Sequence, residues 1–148
     1  MSFLMERSQP EFHPVGNIYL LLGLAQAAHS IEEMRTHLYE FFWTATGRLH
    51  SSFPSFPQFR MEADTFAAIN MALIALLLAT VPFVRTGRRW ALFLAAVVGT
   101  IEILNGAAHL TGVVVFRGYV PGAASAPLLF LLGCFLLREL RRTPFSKR

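Results

Sequence analysis

Four long apolar runs, near residues 15–36, 65–84, 90–116 and 123–137, leave this chain very few ways to fold. A helix rising 1.5 Å per residue needs about 20 apolar residues to cross roughly 30 Å of hydrocarbon. All four runs are read as long enough to cross, the fourth, the shortest, being expected to tilt or to begin below the surface. Hydrophobic residues make up 54% of the chain and charged residues only 15%, against about 25% charged in ordinary soluble domains. That balance excludes a disordered chain and argues against a soluble globular one. A length of 148 residues leaves no space for a separate soluble enzyme domain beside the spans. The sequence predicts a single all-α domain over 1–148, a polytopic four-transmembrane-helix bundle.

The formal charge of +4 does not point to nucleic acid, because the basic residues gather beside apolar runs. Arg85, Arg88 and Arg89 crowd the second connection, and Arg138, Arg141, Arg142, Lys147 and Arg148 crowd the C-terminus. Short basic loops favour the cytoplasmic side. This places the second connection and the tail inside, and the N-terminus with Arg7 follows. The result is a multi-pass protein with both termini cytoplasmic. The N-terminal residues lack the pattern of a cleaved signal peptide. Cys134, alone in an apolar run, offers no disulfide and is expected to pack.

The first helix is expected to continue through Phe42 and Trp43, and the second to be capped by Asp64 and ended by Pro82 and the basic connection after it. Two connections face outward: a Phe- and Pro-rich segment from Ser51 to Gln58, and the Arg117–Gly122 turn. The first fits either a lid lying over the bundle or a plain connector with membrane-seeking aromatics.

Polar residues inside the apolar runs carry the functional signal. An ionisable side chain in hydrocarbon costs several kcal/mol, so it normally faces the bundle interior, pairs, and serves a function. The first run holds Gln26, His29, Glu32 and Glu33, and the third holds Glu102, Asn105 and His109. At about 100° per residue each set forms one stripe. His29 has Glu32 at i+3 and Glu33 at i+4, within reach on a helix surface. By helical rise the two stripes lie about 18–28 Å from the inner ends of their spans. Parallel spans therefore bring them to one level in the outer half of the membrane, with Asn70 and Ser125 at similar depth. Gly23, Ala27, Ala28, Gly99, Gly106 and Gly112 are small enough to let the two striped helices approach closely. Arg35 can pair with Glu32 or Glu33, or reach outward. His13 and His50 are expected to be exposed. His37 and Glu40, among Tyr39, Phe41, Phe42 and Trp43, suggest an interfacial aromatic end.

Leu24-Ala-Gln-Ala-Ala-His29 aligns without gaps with Leu104-Asn-Gly-Ala-Ala-His109. The echo is compatible with two parallel helix-pair repeats and also with chance in alanine-rich sequence.

The run His29-Ser30-Ile31-Glu32-Glu33, the later Glu102-x-x-Asn105-x-x-x-His109 helix and the following Tyr119-Val120-Pro121-Gly122 together resemble the HxxEE-domain family of small bacterial integral-membrane proteins. The resemblance covers about Val15 to Leu137. It implies a bacterial inner-membrane setting and the importance of these residues, Tyr119 among them, without implying a reaction.

The cluster admits four chemistries. Two imidazoles, three carboxylates and a carboxamide make an N/O donor set suited to zinc, iron or manganese. One divalent metal can take His29, Glu33, Glu102 and His109, with Asn105 as ligand or support. Glu32, Glu33 and Glu102 are the candidate catalytic carboxylates, Glu32 as general base or ligand to a second metal. Gln26, Asn70 and Tyr119 are placed as supporting or substrate-contacting groups. Such a site suits a hydrolase or oxidoreductase acting on a lipidic or amphipathic substrate drawn from the bilayer. A metal-free acid–base isomerase of a sterol- or isoprenoid-like lipid uses the same groups. A proton- or cation-coupled transporter is the third possibility, four spans then calling for a homodimer. The fourth is a structural or accessory role, in which the polar groups only join helices, at an average of about 0.6 kcal/mol per contact.

Overall fold

The structure, a computed structural model, describes residues 13–142. Arg7, Lys147, Arg148 and the side chain of His13, which entered the expectations above, lie outside the described residues. The described chain is all-α, with five helices and no strand: α1 (His13–Arg35), α2 (Leu38–Ser52), α3 (Ala63–Arg85), α4 (Arg89–Phe116) and α5 (Ala126–Arg142). Of these, α3 and α4 are long and apolar enough to cross a membrane. Polar Asn17, Gln26 and His29 and an acidic end dilute α1, and α5 has only 17 residues.

The first apolar run does not continue as one helix through Trp43. It breaks at His37, which takes the left-handed conformation (φ 58°, ψ 44°). The Thr36 hydroxyl binds the Glu32 carbonyl at 2.7 Å, and His37 Nδ1 lies 2.6 Å from the Tyr39 hydroxyl. The ladder weakens at this point, where the His37 N–H reaches the Met34 carbonyl only at 3.4 Å. Past the break, α2 carries its aromatic residues across the end of the other helices. Phe41 meets Phe116 of α4, and Phe42 and Tyr39 meet Phe66 of α3.

The cover over that end is α2 itself, not the Ser51–Gln58 segment. The latter straps α2 from outside, with the Gln58 amide donating to the Trp43 carbonyl at 3.2 Å. Nor is α3 capped by Asp64. It begins after Glu62, and Asp64 lies in its first turn. Pro82 does not itself end α3, which runs on to Arg85 and stops in the basic connection, as expected. One missing N–H near a helix end leaves the later backbone bonds intact. What stops the helix is Gly87 (φ 67°): Arg88 N–H reaches the Phe83 carbonyl and Gly87 N–H the Val84 carbonyl. This paired bonding is a Schellman motif, which favours glycine at the left-handed position.

Helix α1 runs antiparallel to α3, with Arg85 donating to Asn17 at 3.0 Å where one begins and the other ends. The main packing is α4 on α5, followed by α1 on α3 and α1 on α5. Gly99 and Gly106, expected to admit the first helix, receive α5 instead. A Cβ on Gly106 would stand 2.8 Å from the Ala126 carbonyl oxygen, and one on Gly99 3.2 Å from Leu137. Gly23 packs on Leu77 and Leu78 of α3, and Gly112 on Val120. Gly23, Gly99 and Gly106 thus bind their helices to antiparallel neighbours, and Gly112 receives the α4–α5 connection. A core of Tyr19, Leu22, Leu77, Leu92, Leu129 and Leu136 fills the end away from α2. Two further expectations fail or resolve: Cys134 is exposed rather than packed, and Arg35 is exposed while Glu32 and Glu33 take other partners. His50 is exposed as expected.

Candidate functional site

Helices α1 and α4 run the same way, so His29 and Glu33 on one come level with His109 on the other. All three are buried. His29 Nε2 lies 3.1 Å from Glu33 Oε1, and His109 Nε2 lies 3.2 Å from the same oxygen. The rings meet edge to face at 4.8 Å. Contact is made by long side chains across a gap, since the α1 and α4 backbones do not pack along their length. Gly122 fills that gap from the α4–α5 connection. It has φ +87°, and a Cβ there would stand 2.6 Å from His109 Cε1 and 2.9 Å from His29 Cε1.

The other half of the motif faces the connection. Glu32 Oε1 accepts from the Ala124 N–H at 3.0 Å and from the Tyr119 hydroxyl, and Oε2 accepts from the Ser125 N–H at 2.9 Å and from the Ser125 hydroxyl. Desolvation, then the adjacent Glu32 carboxylate, raises the Tyr119 pKa above its ordinary value and keeps the phenol a donor. Ser125 Oγ also lies 2.7 Å from His29 Nδ1. A hydroxyl has one proton. With that proton on Glu32, Ser125 must accept from His29, so His29 carries hydrogen on Nδ1.

That assignment sharpens the geometry at Nε2. A bare Nε2 lone pair and a carboxylate oxygen 3.1 Å apart repel unless a positive charge lies between them. That charge is either a shared proton, carried by His29 or by Glu33, or a metal ion. Bonds of about 2.0–2.1 Å in a tetrahedral site set neighbouring donors about 3.3 Å apart. The separations of His29 and His109 from Glu33 Oε1, 3.1 and 3.2 Å, meet that spacing, and the three donor atoms all lie within 4.8 Å of one another.

The remaining expected residues are placed around this group. Glu102 is buried on α4 and stands outside the three-residue group; Asn105 Nδ2 lies 3.5 Å from its Oε2 and 3.4 Å from His29 Nε2. Both separations are long for hydrogen bonds. Gln26 and Asn70 join through Ser30, which sequence reasoning passed over. Gln26 Nε2 donates to Ser30 Oγ at 3.3 Å, Ser30 donates to Asn70 Oδ1 at 2.7 Å, and Asn70 Nδ2 donates to the Phe66 carbonyl at 3.1 Å. The signal for Ser30 was its i+4 spacing from Gln26. Gly122 was visible only as a turn glycine.

The profile of a family described as proteins of unknown function with an HXXEE motif matches residues 20–137. The chain belongs to the HXXEE family. No curated protein and no solved structure gives a match. The HXXEE motif divides its labour: His29 and Glu33 join His109, while Glu32 ties down the connection that holds His29.

Glu33 and His109 open onto a cleft of about 860 Å³ between α3 and α4, which touch only sparsely. Glu33, Glu102, Asn105, His109, Gln26 and Asn70 form its polar wall. Phe41, Phe42, Leu49, Phe66, Ile69, Leu104 and Phe116 are among its apolar walls and roof. Its volume falls within the roughly 300–1,000 Å³ of small-molecule sites.

Proposed function

We propose that this HXXEE protein is an integral-membrane enzyme whose His29–Glu33–His109 group holds one divalent metal ion, zinc, iron or manganese, and acts on a lipidic substrate. The observation that carries the proposal is the convergence of two buried imidazole Nε2 atoms on one carboxylate oxygen at 3.1 and 3.2 Å. The hydrogen bond from His29 Nδ1 through Ser125 to Glu32 adds the outer support typical of metal-binding histidines.

A four-span membrane bundle, α1, α3, α4 and α5, is part of the proposal. Most residues of α3 and α4 remain unburied, with Met71, Leu76, Phe93 and Val114 on the surface while Asn70, Glu102 and His109 are buried. A core helix of a water-soluble protein would show the reverse. The arginines of the α3–α4 turn and of the α5 end fall at one end of the bundle, which favours cytoplasmic termini and a site in the outer half.

When bound, the ion supplies Lewis-acid polarisation or a water molecule of lowered pKa. Glu102, which lines the cleft and whose hydrogen bond from Asn105 is long at 3.5 Å, is the carboxyl best placed to hold or move a proton at a substrate there. Glu33 and the two histidines fix the reacting end, and α2 excludes water from above. A self-contained alternative is favoured by the same convergence: a protonated His29 with Glu33 and His109 forms a neutral cluster able to run metal-free acid–base isomerisation. Elemental analysis of protein purified in detergent without chelators separates the two. About one ion per chain, lost in His29→Ala and His109→Ala, supports the metalloenzyme. A metal-free protein supports the isomerase.

A further inference from the structure

The Gln26–Ser30–Asn70 chain has a direction. The Phe66 carbonyl can only accept, so Asn70 must present its amide nitrogen there and its oxygen to Ser30. Ser30 has one proton and gives it to Asn70, so it can only accept from Gln26. The Gln26 amide nitrogen is thereby fixed on Ser30, and its carbonyl oxygen turns the other way. That oxygen is buried and has no hydrogen-bond partner among the described residues. Gln26 itself is 3% exposed and lines the cleft. A buried acceptor without a donor is unfavourable, and here a backbone carbonyl two residues removed enforces its orientation.

We infer that Gln26 Oε1 is the recognition point for the hydroxyl group of an amphiphilic alcohol bound in the α3–α4 cleft. The inference deepens the lipid-substrate reading and rests on it, but not on the presence of a metal. A hydroxyl supplies the missing donor as a neutral group, so no charge has to leave water for the membrane interior. A carboxylate would meet the Gln26 oxygen with no proton to give, and would face Glu33 and Glu102. The rest of the molecule must be apolar, because Ile69, Leu73, Ile101 and Leu104 line the lipid side of the cleft. Along α4 the lining runs from Ile101 to Phe116, about 22 Å at the helical rise. That length accommodates a long chain or fused rings, and exceeds the need of a small polar alcohol. Gln26 and Glu33 are seven residues apart on α1, about 10 Å along the axis. The alcohol is therefore held at a distance from the His29–Glu33–His109 group, which would act on a second point of the same molecule.

The test uses the full chain in lipid nanodiscs with two diazirine-bearing probes, a hexadecanol and its methyl ether. The alcohol is expected to label the α3–α4 rim roughly three- to tenfold more than the ether, the worth of one hydrogen bond. Gln26→Met, similar in length and shape, should erase that preference while leaving ether labelling at its wild-type level, which also reports an intact fold. Gln26→Glu gives a second check, since a carboxylate acceptor should retain the preference. Equal labelling by both probes, or an alcohol preference that survives in Gln26→Met, would overturn the inference and point to a water molecule as the donor. Metal content and labelling are measured on the same wild-type preparation. An alcohol preference in protein without metal removes the metalloenzyme and leaves the alcohol site. Stoichiometric metal without the preference does the opposite.

Discussion

Ser125 Oγ sits 2.7 Å from His29 Nδ1 while giving its own proton to Glu32. The first and fourth residues of the HXXEE motif are thus coupled through a residue nearly a hundred positions away, on a different helix connection. Ser125→Ala should free His29 to adopt either tautomer and weaken metal binding about 10–100-fold, the usual effect of removing an outer support. Competition with a fluorescent chelator measures it. Ser125→Thr should restore most of the affinity, and an unchanged affinity in Ser125→Ala would show that the coupling does not orient the ring.

Glu32 accepts four hydrogen bonds from the connection. Glu32→Gln puts an NH2 group against donors, leaving at least one of them unpaired. The expected cost is about 1–3 kcal/mol, seen as a lower midpoint in thermal unfolding in detergent. Metal affinity should fall as well, because Ser125 is released. A variant with wild-type stability would contradict the role given to this carboxylate.

Tyr119→Phe removes only one of those donors and should be milder, by about 1 kcal/mol or less. The phenol is neutral when it donates, and its pKa is raised above the ordinary value. A raised pKa means the contribution is fully present below the unfolded value, about 10, and disappears as pH rises through the folded one. The difference in melting temperature between wild type and Tyr119→Phe should therefore stay constant from pH 6 to about pH 9 and shrink only in strong base. A difference that changes near neutrality would assign the titration to another group.

Gly122→Ala tests the plug between the imidazoles. The new Cβ would meet His109 Cε1 at 2.6 Å at a backbone φ of +87°, so both ring clash and left-handed strain oppose it. Strain of that kind costs about 1–3 kcal/mol. Gly118→Ala, where the nearest atom is 3.9 Å away, is the matched control for thermal unfolding. Equal stability of the two variants would mean that the rings move aside freely.

Sequence spacing made much of the site legible. His29 and Glu33 at i,i+4 and the level stripes on parallel helices anticipated that Glu33 would meet His109. The stripe could not say which way Glu32 would turn, because i+3 and i+4 neighbours of one histidine look alike until a loop claims one of them. The break at His37 was hidden because histidine is a poor marker of left-handed backbone, whereas Gly87 marked its own turn. The glycines announced close packing without naming the partner. Compactness on a helix face is a local property, but its partner depends on which antiparallel neighbour the connections deliver.

Gly122 seals the site against the α4–α5 connection, and α2 covers its end. In the membrane reading, the remaining way in lies sideways through hydrocarbon. Turnover would then follow the mole fraction of substrate within the bilayer, and diluting the protein's own lipid with inert lipid would slow it even at constant bulk concentration. Water-soluble histidine reagents, for the same reason, should leave His29 unmodified while lipid-soluble ones reach it.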